Sequence, residues 1–232
     1  MPLRETVVLL GDSLTEWGDF SGLSGRLRPC GAAGPVNHGV SGDTTWGILA
    51  RLHETTLLNP AWVFVQAGIN DLAHGSKPAE LAGRLARIWA GVALDSPGTM
   101  VGVLNLLPLC GARLGYPASL LSNSLVRRAN EIIQETAFRN QTEFLDLYAA
   151  YADQSGELPE SCTLDGLHLL PDAYGPWTDL LLRALGKGNA VAPSPGELEP
   201  ARDCAWGDAA EGADSVSGGI GGSGAGRETP GA

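Results

Sequence analysis

The chain has 232 residues, 44% hydrophobic and 18% charged, enough apolar material for one globular domain with a sizeable core. Its net charge of −11 argues against a surface that tracks nucleic-acid phosphates or an anionic membrane, since both draw on clustered Lys and Arg. Cys30, Cys110, Cys162 and Cys204 stand far apart, with no C-x-x-C pair and no His at ligand spacing, so free thiols are expected and no metal site.

A continuous apolar run at residues 7–10 predicts a strand buried on both faces. It is far too short for a membrane span or a secretory core, and no charged leader precedes it, so the expected location is the cytoplasm, with no transmembrane segment. Gly11-Asp12-Ser13 follows at the strand's carboxyl end, where α/β sheets place their ligands. Residues 14–28 mix apolar and polar positions at roughly helical spacing, in a helix made irregular by Gly18, Gly22 and Gly25.

After a loop at residues 29–35, a short strand at 36–40 leads to Ser41-Gly42-Asp43-Thr44-Thr45, with Asp43 or Thr44 as N-cap of a helix running to about Leu57. The third strand, residues 62–66, breaks at the polar turn Ala67-Gly68-Ile69-Asn70-Asp71. In the helix at 78–94, Leu81, Leu85, Ile88 and Val92 share one face toward the sheet.

Residues 100–106 form the fourth strand, 108–117 a Gly- and Pro-punctuated loop, and 119–138 a long helix. A fifth strand at 143–147 and a loop at 148–163 lead to Asp165-Gly166-Leu167-His168 and a closing helix at 172–185. Five strands alternating with helices predict a parallel sheet covered on both faces, a three-layer α/β/α sandwich. From Gly188 hydrophobic periodicity is lost among Gly, Ala, Pro, Ser and acids, so residues 1–187 are expected to fold and 188–232 to form a disordered tail.

Four turns thus carry chemically capable residues: Ser13, Gly42, Asn70, and Asp165 with His168. A serine hydroxyl becomes a nucleophile when a neutral imidazole takes its proton, which suits His168. Asp165, three residues earlier across a permissive Gly166, can orient that imidazole. The Ser13 amide, the Gly42 amide and the Asn70 carboxamide can surround a developing oxyanion. Asp12 braces the turn through backbone hydrogen bonds, and His38, His53 and His74, with no matched carboxylate or metal spacing, are expected to be structural or solvent-exposed.

The segments Gly11-Asp12-Ser13-Leu14, Gly39-Val40-Ser41-Gly42-Asp43-Thr44, Gly68-Ile69-Asn70-Asp71 and Asp165-Gly166-Leu167-His168 resemble, in order, the four blocks of the SGNH or GDSL hydrolases. The resemblance implies a flavodoxin-like sandwich with Ser13 as nucleophile, His168 as base, Asp165 as its orienting carboxylate, and Ser13, Gly42 and Asn70 as the oxyanion hole. It also implies hydrolysis of small-molecule esters without metal or organic cofactor. Thr15 stands where the second Gly of a G-x-S-x-G elbow would be, which separates the chain from the α/β-hydrolases.

Short connections around the site favour short to medium acyl groups, and Leu109, Leu114 and Tyr116 are candidates for an acyl pocket or for local packing beneath their loop. Carbohydrate O-acetylesterase activity is the rival within hydrolases: Trp17, Trp46 and Trp177 could stack on a sugar, although the last two fall on predicted helices and are expected in the core. A non-catalytic binding module of the same shape is the rival from another class. Acyl transfer to an alcohol, oligomeric state and physiological substrate stay open.

Overall fold

A computed structural model describes residues 6–27, 34–115, 118 and 121–187. Tyr116, Cys30, Cys204 and the tail at 188–232, on which expectations were placed, lie outside these residues. Five parallel strands, β1 (Val7–Gly11), β2 (Val36–Gly39), β3 (Trp62–Gln66), β4 (Met100–Leu104) and β5 (Glu143–Leu145), form one sheet in the order β2-β1-β3-β4-β5. This is the doubly wound order whose switch point lies between β1 and β3.

The apolar runs explain the centre of the sheet: every residue of β1 and β3 is buried. β1 connects to β2 in one direction along the sheet, and the later crossovers run in the other. Right-handed connections then place the intervening helices on opposite faces. Helices α3 (Thr45–Thr56), α5 (Pro78–Asp95) and α6 (Asn123–Arg139) pack in sequence side by side, while α2 (Ser21–Leu27) meets α8 (Gly175–Lys187). In α5 the expected face is observed, with Leu81, Leu85, Ile88 and Val92 all fully buried.

Register determines where the site forms. Gly11 pairs with Gly39 on one side and with Gln66 on the other, so the carboxyl ends of β1, β2 and β3 finish level. The turns after them therefore meet. The chain also folds back tightly here: a Cβ on Gly39 would lie 2.1 Å from the Glu16 amide nitrogen, and one on Gly11 2.3 Å from the Gln66 carbonyl. Both positions exclude a side chain.

Several boundaries differ from expectation for local reasons. The first helix is two, α1 (Ser13–Glu16) and α2: the chain leaves α1 at Trp17, and Asp19 Oδ1 accepts the Ser21 N–H at 2.9 Å to start α2. The turn after β3 contains a short helix, α4 (Ile69–Ala73), and another, α7 (Leu147–Tyr151), follows β5 where a loop was expected. Strand β4 ends at Leu104, and beyond it Leu106 and Leu109 bond to α6 instead of continuing the sheet. The Asn130 carboxamide bonds both backbone groups of Leu106, and Asn123, two turns away on α6, does the same for Leu109, each at 2.8 Å.

An aromatic cluster fastens the last helix to the first turns. Phe20, Tyr174 and Trp177 pack with ring centroids 5.4–5.7 Å apart. The Tyr174 hydroxyl donates to the Leu14 carbonyl at 2.7 Å. Trp177 is buried as expected, whereas Trp46 is 56% exposed, a correction to its core assignment. Trp46 sits in the first turn of α3, where Arg84 and Arg87 lie over its ring at 5.8 and 5.3 Å. No helix among the described residues is long and apolar enough to cross a membrane.

Candidate active site

Ser13 begins α1, and Asp12 is the N-cap: its backbone is extended and its Oδ1 accepts the Leu14 N–H at 3.0 Å. This is the bracing expected of Asp12. Burial, partly offset by the Leu14 hydrogen bond and reinforced by the charges of Asp71 and Asp43, pushes the Asp12 carboxyl up to about 7. The Ser13 N–H, one of the free donors of a helix start, has no protein partner among the described residues.

His168 reaches Ser13 from the other end of the chain. Its Nε2 lies 2.9 Å from Ser13 Oγ, and its Nδ1 lies 2.7 Å from Asp165 Oδ2. Asp165 Oδ1 accepts the backbone N–H groups of Leu167 and His168 at 2.9 and 2.8 Å. Burial opposes the Asp165 charge, but hydrogen bonds from the His168 ring and these two amides outweigh it and hold the carboxyl down at about 2. The carboxylate is thus an anchored anion behind the imidazole.

A bridge between Thr163 and Leu169 closes the loop that carries the pair. Inside it Gly166 has φ +85°, and a Cβ there would approach the Cys110 carbonyl to 2.6 Å, so only glycine fits this turn. The Gly166 carbonyl accepts the Cys110 N–H at 2.9 Å, which seats the loop on residues 109–114. Leu109 and Leu114 line a cavity of about 240 Å³ with Gly111, Leu121, Ser122, Asn123 and Glu157; no triad residue is part of that lining.

Gly42 and Asn70 arrive from β2 and β3. Gly42 is exposed with φ +77°, and its N–H has no protein partner among the described residues. Asn70 donates one amide hydrogen to the Asp43 carbonyl at 2.9 Å, leaving a second. Ser13, Gly42, Asn70, Asp165 and His168 therefore stand at the carboxyl end of the sheet or on the loop that reaches it.

Two arginines support these turns and were not singled out from the sequence. Arg51 donates to Asp43 Oδ2 at 2.8 Å and to the His38 and Gly11 carbonyls at 3.0 Å each, tying the Gly42 turn to β2 and β1. Arg84 belongs to a buried network: it donates to Asp71 Oδ1, Thr45 Oγ1 and Ser76 Oγ, while Asp71 also accepts from the Thr45 hydroxyl and amide. The signal for Arg84 was its position among the apolar residues of α5, three after Leu81.

Of the remaining histidines, His38 Nδ1 lies 3.0 Å from Thr55 Oγ1 and His74 Nδ1 lies 2.6 Å from the Asn70 carbonyl, while His53 is exposed. Cys110 is a buried free thiol and Cys162 a half-buried one.

The doubly wound α/β sandwich thus sets a serine, an imidazole and a carboxylate in hydrogen-bond series at its strand ends, an order of groups that can activate a hydroxyl as a nucleophile. The profile of the GDSL-like lipase/acylhydrolase family matches residues 9–175, and the chain belongs to that family. Its structure is similar to that of a Streptococcus pneumonia protein provisionally described as a platelet activating factor, at 26% identity and TM-score 0.67, covering 79% of this chain and 85% of that one. A GDSL-like lipase from Bacteroides thetaiotaomicron aligns at 22% identity and TM-score 0.66, covering 79% and 88%. An acetylxylan esterase from Geobacillus stearothermophilus aligns at 18% identity and TM-score 0.64, covering 78% and 94%. No curated protein matches the sequence.

Proposed function

We propose that the protein is a serine esterase that hydrolyses carboxylic esters of short to medium acyl groups through an acyl-enzyme. The reading is carried by the relay in which Ser13 Oγ lies 2.9 Å from His168 Nε2 and His168 Nδ1 lies 2.7 Å from Asp165 Oδ2. His168 takes the Ser13 proton as Oγ attacks the ester carbonyl, and the carbonyl π electrons move to oxygen. The oxyanion is met by the Ser13 and Gly42 N–H groups and the remaining Asn70 amide hydrogen. On collapse the C–O bond to the alcohol breaks, and His168 protonates the departing oxygen. Water then attacks the acyl-enzyme in the same way, releasing acid and Ser13.

The preference for smaller acyl groups is supported by the three connections that carry Ser13, Gly42 and Asn70. One residue separates β1 from α1, five separate β2 from α3 and two separate β3 from α4, none long enough to roof an extended chain. The test is covalent labelling with a fluorophosphonate, followed by a panel of p-nitrophenyl esters of rising acyl length. Wild type should label and Ser13→Ala should not. Absence of labelling in wild type would favour a binding module of the same shape, and a maximum at long acyl chains would overturn the size preference.

A further inference from the structure

The ring of Trp17 lies against the imidazole of His168, with centroids 4.3 Å apart and planes tilted by 37°. Trp17 is 55% exposed, so one side of the indole covers the base while much of the rest is open to solvent. Its place is fixed by the nucleophile's own turn: the Trp17 N–H donates to the Ser13 carbonyl at 3.0 Å. Four residues apart on one helical turn, the two side chains share a face. A single exposed apolar side chain is ordinary in itself; what sets Trp17 apart is that it stands against the ring of His168.

This inference rests on the esterase reading. In the tetrahedral intermediate, the oxygen that leaves must accept its proton from His168 Nε2. The alcohol attached to that oxygen is consequently brought beside the imidazole, whereas the charged oxygen turns to the amide donors of Ser13, Gly42 and Asn70. We infer that Trp17 is a specificity-determining residue, whose exposed indole face receives the alcohol half of the ester and favours a flat, uncharged ring. Glu16 precedes Trp17 in the chain, Asp19 follows two residues on, and the carboxylate of Asp165 stands behind His168, so an anionic alcohol is disfavoured. An aromatic ring and the C–H face of a pyranose offer the same flat apolar surface to an indole.

The experiment holds the acyl group constant and varies the alcohol. Phenyl acetate, a monoacetylated methyl xylopyranoside and ethyl acetate are compared by kcat/KM in wild type, Trp17→Ala and Trp17→Phe, with fluorophosphonate labelling of Ser13 confirming a competent site in each. Differences in intrinsic reactivity cancel when each variant is divided by wild type. In Trp17→Ala, kcat/KM for one or both ring esters should fall about three- to tenfold more than for ethyl acetate, with Trp17→Phe restoring most of the loss. Loss on the phenyl ester alone identifies an aryl alcohol, and loss on the xylopyranoside alone a sugar.

Breakdown of the shared acetyl-enzyme by water does not involve the alcohol and should not change. Equal losses on all three esters, together with slower deacylation, would mean that Trp17 only braces His168, and unchanged ratios would mean that it does neither; both overturn the inference. If wild type neither labels nor cleaves any ester, the esterase reading itself falls, a result distinct from active enzyme with unaltered ratios.

Discussion

Asn70 and Asp43, residues from two different strand-end turns, are joined by a 2.9 Å hydrogen bond from the Asn70 amide to the Asp43 carbonyl. The bond leaves Asn70 one hydrogen to offer elsewhere and fixes the plane of its carboxamide. Asn70→Ala removes both the tie and the donor. The expected result is a fall in kcat on p-nitrophenyl acetate of about 10²–10³, with KM changing far less, because the donor acts on charge that develops only in the transition state.

Arg51 is expected to matter through the same turn without touching substrate. Arg51→Met leaves the largely buried Asp43 carboxylate without its cation and two backbone carbonyls short of a donor. Denaturant unfolding should show a loss of about 3 kcal/mol. At temperatures where the variant is still folded, kcat should drop on the order of tenfold as the Gly42 turn loosens. Unchanged kcat would separate the clamp from the chemistry.

The buried network beneath it makes a prediction about coupling. Arg84→Met strands the Asp71 carboxylate, and a loss of about 3–5 kcal/mol is expected. Asp71→Asn combined with Arg84→Met removes both charges and should be less destabilising than the sum of the single changes by more than about 1 kcal/mol. A double-mutant cycle by urea denaturation measures this directly.

Asp12 gives the chain a stability that depends on pH in an unusual direction. Its carboxyl is held at about 7 by burial, well above the ordinary carboxylate value of 3.8. The folded state therefore keeps a proton that the unfolded chain loses, so this group's contribution is fully present below pH 3.8 and disappears as pH rises through about 7. Asp12→Asn retains the acceptor for the Leu14 N–H and abolishes the titration. Relative to wild type it should gain up to a few kcal/mol between pH 4 and pH 7, read from thermal melts across that range.

Much of the site was legible because each piece was local. Strands such as residues 7–10 and 62–66 announce themselves by unbroken apolar character, and a polar turn straight after each places Ser13 and Asn70 at the sheet's working end. Asp165 and His168 needed only a three-residue spacing and a glycine. What local pattern could not show was reach. Arg51 finds its partners on β1, β2 and the turn between β2 and α3, and which carbonyls a long side chain meets depends on register between strands, not on helical periodicity. The helices α4 and α7 have only five residues each, too few for a periodic signal. Trp46 reads as internal because it falls on a predicted helix, yet it lies outside the core beneath two guanidinium groups.

The hydrogen bond between Ser13 and His168 spans 155 positions of sequence, and the Tyr174 bond to Leu14 spans 160. During synthesis the hydroxyl thus precedes its imidazole by 155 residues, roughly ten to thirty seconds at ordinary rates of translation. A nascent chain would carry an inert serine until the ribosome had released almost the entire sandwich, so activity on the proposed ester substrates would report completed folding.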